Sequence, residues 1–142
     1  MGGEVQMTLP RITQSHVGFA VRDIHKALDW YAKVLGFTKL LPPGICEMDL
    51  MGHQGYRCII QNDHGVCLEL EQRTDQPFPT NSSPIISHFC LEADDIEEMQ
   101  DHLKENGLIP KYENWIVDKG TAKILYFTGI DNIRIELIQH IK

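Results

Sequence analysis

The chain has 142 residues, 42% of them apolar, which suits one domain or two small modules sharing a core. Its formal net charge of −7 argues against a nucleic-acid or anionic-membrane partner, because both repel an acidic surface. No apolar run approaches the length of a membrane span, and Met1–Pro10 lacks the basic-then-apolar pattern of a secretory signal, so a cytoplasmic protein is expected. Cys46, Cys58, Cys67 and Cys90 form no Cys-x-x-Cys pair, and three of them lie in apolar strand-like runs; reduced, mostly buried thiols follow.

In chain order, "SHVGFAV" (15–21) alternates Val17, Phe19 and Val21 with Gly18 and Ala20, a strand pattern that opens on a histidine. Asp23 is an N-cap candidate. Ile24, Ala27, Leu28, Tyr31, Val34 and Leu35 then recur at helical spacing, and Gly36 is a natural helix stop. Strands follow near Ile45–Leu50, Tyr56–Gln61 and Val66–Gln72, the last two joined by the turn "NDHG" (62–65). The stretch "TDQPFPTNSSP" (74–84), with three prolines, reads as a linker, and its Asn81-Ser82-Ser83 triplet as plain loop. "SHFCLEA" (87–93) then starts another strand on a histidine. Asp94 with Glu97 resembles a capping box, Ile96, Met99 and Leu103 form an apolar stripe, and Gly107 ends the helix. The last strands are expected near Lys111–Ile116, Thr121–Phe127 and Ile133–Ile138, with "GIDN" (129–132) at the final turn.

The two halves repeat one plan. His16 and His88 lie 72 residues apart. Asp23-Ile24 and Asp95-Ile96 each begin seven residues after their histidine, and Gly36 and Gly107 follow it by 20 and 19. The closing strands match as well, "LELEQ" (68–72) against "IELIQ" (135–139). The expected fold is α+β: βαβββ twice in a single domain spanning 1–142, with module one at about 12–72, a linker at 73–84 and module two at 85–139. The repeat pairs His16 with His88 and Glu69 with Glu136, on the first and last strand of each module. A pseudo-twofold axis would bring the four to one place. A lone strand histidine or glutamate is ordinarily structural or solvent-facing. Four at matched offsets form a donor set suited to a divalent ion of borderline hardness: nickel, zinc, cobalt, manganese or iron. A glutamate inside "CLELE" or "IRIELI" is also costly to bury without a positive partner.

These residues carry a resemblance. The "HVGFAVRDIHKALDWYAKVLGF" opening, the "SHF" start of the second half and the closing "IELIQ" resemble the vicinal oxygen chelate superfamily, also called the glyoxalase/bleomycin-resistance/dioxygenase superfamily, over about Ile12 to Gln139. The resemblance implies two βαβββ modules whose sheets form a half-open mixed β barrel around a metal. The order His16, Glu69, His88, Glu136, with spacings of 53, 19 and 48, is similar to bacterial glyoxalase I. It implies a metal-dependent lyase or isomerase that enolises an α-hydroxy carbonyl or hemithioacetal. The four residues would be its metal ligands, and Glu136, with Glu69 as the alternative, its catalytic base. The partner is then a small-molecule substrate, and a homodimer is expected, because half-barrel edges and outer helix faces need covering. Two other readings stay open: an epimerase of an acyl thioester, similar to methylmalonyl-CoA epimerase, for which a glutamine is expected where Glu69 stands, and a metal-free drug-binding resistance protein. Glutathione-using members have an arginine where Ala20 stands, and the usual "DPDG" turn is "GIDN" here, so the thiol is open. Arg73, Lys119 and Lys123 are the candidates to meet an anionic substrate. Glu47, Asp49 and Glu71 are possible cavity carboxylates, with Glu71 sharing a strand face with Glu69. His25, His53, His64 and His102 read as surface residues.

Overall fold

The computed structural model describes residues 9–11, 13–50, 53–78 and 88–141. The module boundary at Ile12, the linker beyond Phe78 with Asn81-Ser82-Ser83, Ser87, and the side chains of Asp49 and His53 lie outside the described residues. The first half runs β1 (Val17–Ala20), α1 (Ile24–Leu35), β2 (Lys39–Leu40), β3 (Cys46–Leu50), β4 (His53–Gln61) and β5 (Cys67–Arg73). The second runs β6 (Phe89–Glu92), α2 (Ile96–Glu105), β7 (Val117–Asp118), β8 (Ala122–Thr128), a 3₁₀ turn at Ile130–Asn132 and β9 (Arg134–His140). Each half makes its own mixed sheet. The first has the order β1-β5-β4-β2 with β3 also on β4, and the second β6-β9-β8-β7. This is the α+β plan of paired modules that the repeat implies, with the two-residue β2 added.

In both sheets the first strand lies parallel to the last. Gly18 stands opposite Glu69 and Cys90 opposite Glu136. Parallel neighbours cannot be joined by a tight turn, so a helix crosses between them in each module. Asp23 caps α1, its carboxylate accepting from the His25 and Lys26 N–H groups at 3.0 and 3.2 Å, and Gly36 ends it at φ 74°. In α2 the cap is Asp95, which accepts from the Glu98 N–H at 3.0 Å, one residue beyond the Asp94 and Glu97 expected from the capping pattern. Asp95 is also the repeat mate of Asp23, so the internal alignment locates the cap better than the local motif does.

The repeat explains a third residue. The glutamine that closes each "E-L-x-Q" reaches back to its own helix. Gln72 Oε1 accepts the Ile24 N–H and Gln139 Oε1 the Ile96 N–H, both at 2.8 Å. The first orphan donor of each helix is thus satisfied by the last strand of the same module.

One apolar core spans both halves, with Ile24, Tyr31, Leu68 and Leu70 from the first and Ile96, Leu103, Leu125 and Ile135 from the second. Phe19 stacks on Phe89 at 5.4 Å, so β1 and β6 meet through their inward faces. His102 Nε2 donates to the Val34 carbonyl at 2.8 Å, tying α2 to the end of α1; this histidine, expected on the surface, is a half-buried tie between helices. Asp131, in the left-handed region at φ 59°, accepts the Arg22 N–H at 3.0 Å and faces its Nε at 3.4 Å. Gly129 closes the seam: a Cβ there would come within 2.8 Å of the Trp30 ring.

Two further expectations are corrected. Residues 111–116 form no strand; the Trp115 and Ile116 N–H groups go to side chains, Gln100 Oε1 at 2.7 Å and Asn114 Oδ1 at 3.2 Å, which leaves only Val117–Asp118 to pair with β8. All four cysteines are free, but only Cys58 is buried, and Cys90 is exposed because it points away from the core beside Glu136. Among the described residues no helix is long and apolar enough to cross a membrane.

The strand-to-helix bonds are open to measurement. Gln139→Met and Gln72→Met keep side-chain length and remove the acceptor, so each should lower the unfolding free energy by about 1–2 kcal/mol in urea titrations. The double variant should be near the sum, because the two bonds lie in different modules.

Candidate functional site

The outward faces of the two parallel strand pairs carry the chemistry. Along β1, Val17 and Phe19 turn to the core while Gly18 and Ala20 turn away from it. Along β5, Leu68 and Leu70 are buried in the core, and the alternation puts Glu69 and Glu71 on the opposite face. Glu69 is nevertheless only 8% exposed, a carboxylate held in a recess rather than waving in water.

The structure brings the four expected ligands together two by two. His16 Nε2 lies 3.1 Å from Glu69 Oε2, and Ser15 Oγ lies 3.1 Å from the other ring nitrogen, Nδ1. In the second module His88 Nε2 lies 3.9 Å from Glu136 Oε2. Both pairs arise the same way: a histidine just before the first strand, and a glutamate on the last strand beside it. Among the described residues of one chain, no three His, Cys, Asp or Glu side chains gather closely enough to share a metal ion. One chain therefore presents two separate His–Glu pairs, one per sheet, each a candidate half-site.

The donor chemistry fits a divalent ion. Two bonds of about 2.1 Å at a right angle place their donor atoms about 3.0 Å apart, and opposite bonds about 4.2 Å apart. The separations of 3.1 and 3.9 Å fall within that range. The hydroxyl at His16 Nδ1 is also the kind of outer contact that orients a ligand imidazole.

Each half-site has a distinct surround. At the first, the Glu71 side chain hydrogen-bonds Glu69, and that bond together with burial raises the Glu71 pKa. Arg57 on β4 stands opposite Glu71 in register and brings Nη1 to 3.9 Å from Glu69 Oε2. At the second, the Tyr126 hydroxyl donates to Glu136 Oε1 at 2.6 Å, and its ring stands edge-on to His88. The Tyr126 bond, joined by the Cys90 thiol and the nearby His88, lowers the Glu136 pKa against the opposing pull of desolvation. Cys90 is pushed up to about 12 by desolvation and by its bond to Glu136, so its sulfur acts as a protonated donor. Arg134 lies over the Tyr126 ring at 4.7 Å.

Of the other candidates, Glu71 joins the site and Glu47 is exposed on β3. Arg73 is taken by Asp75 through two 3.0 Å bonds, Lys123 by Glu97 at 2.8 Å, and Lys119 is exposed. His25 and His64 are surface residues. Ala20 lines a cavity of about 280 Å³ with Glu71, Arg73 and Phe78. Sequence reasoning missed Arg57, Tyr126 and Cys90. Cys90 and Tyr126 both stand beside Glu136 in register, on β6 and β8, so a strand alignment built outward from the glutamates would have found them.

The family model for the Glyoxalase/Bleomycin resistance protein/Dioxygenase superfamily matches residues 13–137. Among solved structures, a glyoxalase/bleomycin resistance protein/dioxygenase domain from a Frankia species is similar at TM-score 0.74 and 20% identity, covering 94% of this chain and 95% of that one. The fosfomycin resistance protein FosX of Listeria monocytogenes, in complex with Mn(II) and sulfate, matches at TM-score 0.60 and 14% identity, covering 91% and 93%. An antibiotic-binding protein from a Streptomyces species matches at TM-score 0.62 and 23% identity, covering 92% and 100%. Comparison with curated proteins gives no match.

The Tyr126 bond favours the ionised form of Glu136, so its loss should make the carboxylate easier to protonate. Carbon-13 NMR titration of the metal-free Tyr126→Phe variant should show the Glu136 carboxyl pKa moved upward from its wild-type value. An unchanged titration would mean that the hydroxyl does not hold this carboxylate.

Proposed function

Starting from a chain that belongs to the Glyoxalase/Bleomycin resistance protein/Dioxygenase superfamily, we propose that it is a divalent-metal-dependent lyase or isomerase of the glyoxalase I type, enolising an α-hydroxy carbonyl or hemithioacetal substrate. The superfamily includes metalloenzymes, fosfomycin resistance proteins and antibiotic-binding proteins. What supports the enzymatic reading is the pair of His–Glu contacts, His16 with Glu69 and His88 with Glu136, at matching places in the two modules. Each half-site offers two donors, fewer than a divalent ion of this class takes up. The complete set of His16, Glu69, His88 and Glu136 would be met where module one of one chain faces module two of another, which makes a homodimer the working form. An Mn(II)-bearing neighbour of the same fold is consistent with such a site.

A divalent ion held there would polarise the substrate carbonyl and stabilise negative charge on its oxygen. Glu136 is the base. Tyr126 and Cys90 hold it ionised, and Tyr126 occupies Oε1, so Oε2, the oxygen turned to His88, would leave the ion as substrate arrives, take the C–H proton beside the carbonyl and return it to the adjacent carbon. Glu69 is the second carboxylate ligand, steadied by Glu71 and Arg57. An acyl-thioester epimerase would use similar proton chemistry, but Glu69 stands where its glutamine is expected. A metal-free drug-binding role has a structural neighbour in the Streptomyces protein, yet does not account for two His–Glu pairs in equivalent places.

Purified protein loaded with nickel should carry about one ion per chain in octahedral coordination and scatter light as a dimer at micromolar concentration. Anomalous density away from the four residues, or a monomer holding full metal, would overturn the shared site.

The glutamates separate by isosteric replacement. Glu136→Gln should keep metal, more weakly, and lose deuterium exchange at the substrate C–H by about 10²-fold or more, the scale of a general base. Glu69→Gln should cost less. Wild-type exchange in metal-bound Glu136→Gln would pass the role of base to Glu69.

A further inference from the structure

The arginines beside the two half-sites are not equivalent. Arg73 is held by Asp75 through two 3.0 Å bonds. Arg22 faces Asp131 at 3.4 Å and lies 4.3 Å over the Phe78 ring. Arg134 lies over Tyr126. Among the described residues Arg57 makes one loose ion pair, Nη1 to Glu69 Oε2 at 3.9 Å, on the same oxygen that His16 approaches at 3.1 Å, and it lies within charge range of Glu71. Glu71, its neighbour across the strands, turns its carboxyl to Glu69 instead. The Arg57 side chain is 37% exposed, within reach of a small molecule from solvent.

A cation drawing on Glu69 satisfies that carboxylate's charge and leaves the guanidinium beside it with Glu71 alone, a carboxyl already engaged with Glu69. A positive group next to a metal and without a close ion pair favours an anionic ligand, and a planar guanidinium presents parallel N–H donors that match a carboxylate. We propose that Arg57 is the residue that selects the substrate, and that the substrate carries a carboxylate a few bonds from the oxygens that face the metal. This rests on the metal-centred reading above. It adds a substrate class to that reading, a small chelating acid, and a residue on β4 that the pattern of histidines and glutamates does not point to.

The test compares two probes with one chelating head. Acetohydroxamate is the plain head, and succinohydroxamate adds a pendant carboxylate. Both are titrated calorimetrically into nickel-loaded wild type, Arg57→Gln, Arg57→Lys and, as a control that removes an exposed charge from the same sheet, Lys39→Gln, after nickel content is measured in each. Wild type should bind succinohydroxamate about ten- to a hundredfold more tightly than acetohydroxamate, the worth of one charge-assisted contact. Arg57→Gln should collapse that ratio, Arg57→Lys restore part of it, and Lys39→Gln leave it in place. Nickel-loaded Arg57→Gln with the wild-type ratio, or loss of the ratio in Lys39→Gln as well, would overturn the role of Arg57 alone. Wild-type protein that takes up no nickel would overturn the metal reading and this proposal with it.

Discussion

Everything at the candidate site depends on the parallel pairing of first and last strand in each module. Because β1 runs beside β5 and β6 beside β9, a histidine just ahead of one strand comes to rest against a glutamate on the other. An antiparallel pairing would run the last strand the other way past the first and give the two residues a different register. Parallel neighbours need a crossover, and the crossover is the helix. The helix is in turn held by the same last strand, through the Gln72 and Gln139 side chains. Strand order, helix position and the placing of the His–Glu pairs are therefore one constraint expressed three times.

The two half-sites share this frame and differ in their surroundings. Around Glu69 stand a guanidinium and a second carboxyl, whose hydrogen bond to Glu69 needs a proton between them. Around Glu136 stand a phenol and a thiol, both hydrogen-bond donors that carry no charge in this setting. A carboxylate that accepts from neutral donors stays ionised, while one pressed against another carboxyl shares a proton or needs a cation. Duplication of the fold has thus kept the His–Glu pairs and let the neighbouring positions diverge.

Much of this was legible because it repeats. His16 with His88, Glu69 with Glu136, Asp23 with Asp95 and the two closing glutamines sit at matched offsets, and comparing the halves substitutes for comparing homologues. Where the halves differ, the reading weakened. The stretch at 111–116 has no clear counterpart in the first module, and its backbone donors go to Gln100 and Asn114, partners that no period along the chain reveals. Arg57 and Tyr126 are single residues in strands whose importance comes from the strand beside them. Arg73, not Arg57, was the candidate in the sequence, and Asp75, two residues on, removes it.

By itself, then, the sequence determined the modules, the helices to within a residue, and the four residues worth watching, since these follow from local periodicity and internal repetition. Tertiary structure decided which strands touch, and with them which arginine stands beside Glu69, which tyrosine holds Glu136, and that one chain presents the four residues as two pairs on two sheets. The physical reason is that strand register and side-chain pairing are non-local: they are set when one core closes over residues such as Phe19 and Phe89, 70 positions apart in the chain, and no window along the sequence contains both.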